Sequence, residues 1–240
     1  MPEGRAREQA LQNISWQWVT SDPQGAAEFA KNLPSGAARN NFMNSVASQW
    51  ANNDPKAALA WAGNLATGQE RDQAYGAITS SWAQHAPRDA ANFAVGLPPG
   101  EGQNRAALAV ISSWSNSDPQ SAAAWAGAFS EGSLRDNALE TVARKWGQND
   151  PGGAVNWLTG LPAGHSRDAA VNSFVGNMAW QYPQLATEWA GRIGDEQMRF
   201  NQMENVARSW MNSDEAGARV WIAQSPLPEE RKKRLLSRGR

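Results

Sequence analysis

The chain has 240 residues, long enough for a large buried core, and its 22 basic against 23 acidic residues leave a formal charge of −1. That balance provides no positive stripe for nucleic acid or an anionic membrane surface, and no apolar run approaches the roughly 18 residues of a spanning helix. With no cysteine in the chain, disulfides, thiolate metal sites and a cysteine nucleophile are excluded.

Met1-Pro2-Glu3-Gly4 stands in register with Leu33-Pro34-Ser35-Gly36, so the chain opens at the boundary of an internal repeat, as a segment excised from a larger protein would. A 32-residue period then runs without insertion or deletion through units 7–38, 39–70, 71–102, 103–134, 135–166, 167–198 and 199–230. One aromatic column reads Trp18, Trp50, Trp82, Trp114, Trp146 and Trp210, with Met178 in its gap. A second reads Phe29, Trp61, Phe93, Trp125, Trp157, Trp189 and Trp221. Alanine is unbroken at 26, 58, 90, 122, 154, 186 and 218.

Each unit reads as an antiparallel pair of helices. In Arg71 to Trp82, the inward set Ala74, Ala77 or Ile78, Ser81 and Trp82 has helical spacing. Asp-Pro then restarts the chain at Asp54-Pro55 and its equivalents, with Asp as N-cap and Pro at the first helical position. The second helix carries Ala58, Trp61, Ala62 and Leu65 on one face. Leu-Pro-x-Gly, as in Leu161-Pro162-Ala163-Gly164, stops it and turns the chain. Helices this short cannot bury an apolar face alone, so the hairpins must stack. The expectation is an all-α fold: one continuous α-solenoid, or superhelix, of about seven helical hairpins of near-equal arms. The charged segment 229–238 would close it as a C-terminal capping helix.

The aromatic and alanine columns resemble the tetratricopeptide and Sel1-like class of helical-hairpin repeats. They resemble still more the Trp-x-x-x-Asp-Pro-x-x-Ala-Ala-x-Trp-Ala arrays of large, mostly uncharacterised bacterial proteins. The likeness covers essentially the whole chain, although the period is 32 and the tetratricopeptide Trp-x-x-Leu-Gly-x-x-Tyr line is missing. It implies a concave surface that holds peptides or partner proteins. It carries over no ligand residues, because every matched position is a packing position.

Catalytic patterns are weak. His85 and His165 fall in different columns without metal-ligand spacing, and read as exposed turn residues. No nucleotide-binding glycine loop and no Gly-x-Ser-x-Gly elbow occurs. Arginine recurs at 7, 39, 71, 135, 167, 199 and 231, with Gln103 in its gap. Its expected role is to meet the carbonyls that end the preceding second helix. Neither catalytic, cofactor-binding nor metal-binding residues are assigned.

Departures from the repeat are the better functional candidates. Trp16 and Trp180 occupy columns that are polar in other units, Tyr182 replaces the capping Asp, and Phe200 replaces Asn or Asp. Large aromatics at such positions should face solvent and meet a partner. The reading is a non-catalytic scaffold for protein or peptide partners, with Asn, Gln and Ser offering neutral hydrogen bonding along a groove. The alternative is a carbohydrate or small-ligand receptor that uses exposed tryptophans as stacking platforms.

Overall fold

Asp-Pro starts the short helices as expected. A computed structural model of the chain describes residues 17–65 and 68–237, all-α, with no strand among them. After a helical stretch at 17–21 come α1 (Pro23–Asn32), α2 (Ala37–Asn53), α3 (Pro55–Gly63), α4 (Gly68–Trp82), α5 (Pro87–Gly96) and α6 (Glu101–Ser117). Then follow α7 (Pro119–Gly127), α8 (Ser133–Asn149), α9 (Pro151–Gly160), α10 (His165–Met178), α11 (Pro183–Ala190), α12 (Glu196–Ser213), α13 (Glu215–Gln224) and α14 (Glu229–Ser237). The chain divides into two compact units, Met1–Ser117 and Asp118–Arg240. In the first, α2, α4 and α6 pack side by side; in the second, α8, α10 and α12 do so. The short helices lie against these long ones. This is an all-α helical repeat.

The arms are unequal. First helices run 14 to 18 residues and second helices 8 to 10. The long arm begins earlier than the arginine column suggests, because the glycine of Leu-Pro-x-Gly releases the chain into helix at once. Gly36, Gly100, Gly132 and Gly164 hold φ between 143° and 152°, where no other residue sits without strain. The sixth unit has no such glycine before α12, having Ile193-Gly194-Asp195-Glu196 instead. There Asp195 caps α12 by accepting the Met198 N–H, and buried Asp168 accepts the Gly194 and Asp195 N–H groups at 2.9 and 2.8 Å. Side-chain acceptors replace a backbone conformation.

At the start of the short helices, Asp22, Asp54, Asp118, Asp150 and Asp214 each accept the N–H three residues on, at 2.8 to 3.0 Å. Proline at the first helical position of α1, α3, α7 and α9 fixes φ and forfeits no needed donor. Ala86 and Tyr182 lack this cap, yet hold φ/ψ of −139°/68° and −134°/64°, close to the −147°/85° of Asp150. The backbone is already set there; only the acceptor is missing.

The core follows the columns. All seven alanines, Ala26 to Ala218, are fully buried. Beside them, the two aromatic columns pair within hairpins: Trp18–Phe29 at 5.2 Å, Trp50–Trp61 at 5.9 Å, Trp146–Trp157 at 5.8 Å and Trp210–Trp221 at 6.4 Å. Where Met178 breaks the first column, Phe174 takes over edge-on to Trp189 at 5.9 Å. Polar ties run between neighbouring long helices: Ser81 donates to the Ser48 carbonyl and Ser173 to the Glu140 carbonyl, each 33 residues back. At the end, α14 buries Leu235, while Arg231 and Arg234 join Arg208 on buried Glu204 at 2.8, 2.8 and 3.2 Å.

Two substitutions test these local rules. Ala86→Asp should add about 1 kcal/mol by supplying the missing cap. Gly100→Ala should remove about 1–3 kcal/mol, since alanine cannot hold that φ without strain. Urea unfolding followed by circular dichroism reads both.

Candidate functional site

Stacked hairpins leave an opening at two places where a Leu-Pro-x-Gly turn passes the first turn of a neighbouring long helix. In the second unit this opening is a cleft of about 540 Å³ lined by Arg135, Asp136, Leu161, Pro162, Gly164 and His165, among others. In the first unit a cleft of about 300 Å³ is lined by Arg71, Asp72, Leu97, Pro98, Gly100 and Glu101. The two linings differ by 64 residues at each of these positions, two repeat lengths. One architectural joint therefore generates the same kind of cleft twice.

In the larger cleft, Ser166 donates its hydroxyl to Asp136 Oδ1, and His165 Nδ1 lies 3.1 Å from Asp136 Oδ2. Serine and histidine thus share one carboxylate. A nucleophilic serine needs its hydroxyl hydrogen-bonded to the imidazole instead, so this trio is a joint between α8 and α10, not a prepared triad. The His165 side chain is 76% exposed, in keeping with the sequence expectation. Nearby Glu140 has its carboxyl raised above the ordinary 4.5, first by burial and then by the Asp136 carboxylate, with His165 opposing.

The arginine column divides in its partners. Gln103 donates to the Val95 and Leu97 carbonyls, and Arg199 to those of Ile193 and Gly194, the expected end of the preceding short helix. Arg167 instead donates to the Arg192 carbonyl, beyond the following short helix. Arg39 pairs with Glu70 at 2.9 Å, and Arg231 with Glu204 and Asn201. Helix-end carbonyls are thus one of several partners.

A third opening, about 390 Å³ between α4 and α6, is lined by Ser80, Gln84, Ser112, Ser113, Asn116 and Ser117. Its neutral lining is the hydrogen-bonding surface expected of the exposed columns.

Among the aromatic candidates, Trp180 is 65% and Tyr182 41% exposed, both in the turn between α10 and α11. Phe200 is half-buried, with the Arg199 and Arg231 guanidinium groups over its ring at 5.4 and 5.6 Å. The Gln202 side chain donates to the Asn172 carbonyl, which ties this part of α12 to α10. Trp180 lies eight residues past Asn172, roughly 12 Å farther along at helical rise. Trp180 and Tyr182 share a turn, and Phe200 packs beneath Arg231 of α14. Trp16 lies outside the described residues.

One set of residues was missed in the sequence. In the column Asn40, Asp72, Asn104, Asp136 and Asp168, the residues Asp136 and Asp168 hold the start of the following long helix. Its signal was the recurrence of Asx beside the arginine. Among the described residues no cluster of ligating side chains would hold a metal, and no helix is long and apolar enough to cross a membrane. No family model, curated protein or solved structure matches the chain.

The Glu140 environment fixes a pH dependence. A carboxyl that holds its proton more tightly folded than unfolded contributes stability below about pH 4.5, which is lost as pH rises through the folded value. Glu140→Gln should therefore melt at a higher temperature than the parent at neutral pH, with the gap closing below pH 4.5. Thermal melts from about pH 4 to about pH 8 check the sign.

Proposed function

We propose that the chain is a non-catalytic scaffold that binds protein or peptide segments, as its likeness to helical-hairpin repeats implies. The observation behind this reading is Trp180. Every other indole of the described residues is buried or half-buried in the repeat, whereas Trp180 stands 65% exposed with exposed Tyr182 two residues away. A tryptophan–tyrosine pair on a turn offers a large contact area with few rotors to freeze, the usual anchor of a protein interface. The neutral groove beside α4 and α6 adds hydrogen-bonding capacity without charge selection. The carbohydrate-receptor alternative needs at least two indoles free to stack, and the described residues expose one.

A random peptide display library selected on the parent chain supplies the probe. Enriched peptides should bind the Trp180→Ala/Tyr182→Ala variant at least about tenfold more weakly by fluorescence polarisation. Enrichment of no sequence, or undiminished binding to the variant, overturns the proposal. Acrylamide should quench a minor part of the tryptophan emission, and that part should vanish in Trp180→Ala. Broad quenching of many indoles would favour the receptor instead.

A further inference from the structure

One member of the arginine column shows that a guanidinium at this position can hold a carboxylate. Arg39, on the first turn of α2, pairs at 2.9 Å with Glu70 on the first turn of α4. Glu70 is the third residue of its helix, where a negative charge is favoured by the helix dipole. Its equivalents one and three repeats later are Gly102 and Ser166, which carry no carboxylate. Opposite them stand Arg71 and Arg135, and neither makes a hydrogen bond or ion pair among the described residues. These two unpaired arginines line the two equivalent clefts. The openings lie where the third joint is closed by Glu70.

We propose that the cleft at Arg135, and its counterpart at Arg71, binds an acidic side chain of a peptide ligand, whose carboxylate takes the place that Glu70 takes against Arg39. The ligand class rests on the peptide-binding reading above. The carboxylate meets the outer nitrogens of the guanidinium, since Arg135 Nε is buried without a partner, as is Nε of the paired Arg39. The first turn of α10 adds open N–H groups, because its N-cap is Gly164, which has no side chain to cap them. Two carboxylates in the lining compete for the guanidinium: Asp136, whose oxygens are turned to Ser166 and His165, and Glu131.

The probe is acetyl-glutamate amide, with acetyl-glutamine amide as its neutral twin, titrated into the ¹⁵N-labelled full chain and followed by nuclear magnetic resonance. The Arg135 Nε–Hε peak and the Gly164 and Ser166 amides should shift and saturate with the glutamate probe, and respond at least about tenfold more weakly to the glutamine probe. Arg135→Gln, whose side chain is the one already present at position 103, should abolish the Gly164 and Ser166 response. Glu131→Gln should strengthen it. Glu70→Gln should free Arg39 and bring a new responding Nε–Hε peak. Equal response to the two probes, or a Gly164 response that survives in Arg135→Gln, overturns the proposal. Library peptides bound through Trp180 without any preference for the glutamate probe would likewise overturn it and leave the scaffold reading standing. A glutamate response in a chain that enriches no peptide would support the carboxylate site and remove the scaffold reading.

Discussion

The distance between helices in this protein is set by a methyl group. At Ala26, Ala58 and their five equivalents, a fully buried alanine faces the neighbouring helix, and any larger side chain would have to push that helix away. Close approach is what lets the indole of one arm reach the aromatic of the other at 5.2 to 6.4 Å. Small and large residues thus act as one unit: the alanine makes the gap narrow and the ring fills what remains. The Asp-Pro cap and the glycine turn serve that contact by fixing where each arm starts.

Breaks in the pattern show how much of it is required. With Met178 in the tryptophan column, Phe174 supplies the ring from one turn earlier. Ala86 and Tyr182 lose the capping acceptor and keep the cap backbone, so the fold does not depend on the acceptor at every joint. Glu196 cannot take the glycine conformation, and Asp168 holds the altered turn through two N–H groups. Each of these positions either keeps its backbone conformation or finds a substitute group. Arg71 and Arg135 are different, because nothing nearby compensates for the absent carboxylate.

Most of the scaffold was legible before any coordinates, since a 32-residue period compares the chain with itself. Ala58, Trp61, Ala62 and Leu65 read as one face and are all buried. The unequal arms were not legible, because helix length depends on where Gly132 or Gly164 permits the helix to begin, and that is a backbone property with no hydrophobic signature. Nor were the guanidinium groups of Arg199 and Arg231 over the Phe200 ring, since Arg231 is brought there only by the packing of α14. The arginine partners were half legible: a cation near helix-end carbonyls describes Arg199, but Arg39 found a carboxylate that only stacking brings within reach.

The ring pairs also make the molecule its own spectroscopic ruler. Hairpins that carry two indoles, such as Trp146 with Trp157 and Trp210 with Trp221, differ from ones whose indole meets a phenylalanine, as at Trp18 and Trp189. Repeat arrays come apart hairpin by hairpin, each held only by its neighbours. Light emission therefore carries a positional signature, and the order in which the hairpins let go is written in the colour and yield of the fluorescence without any attached dye.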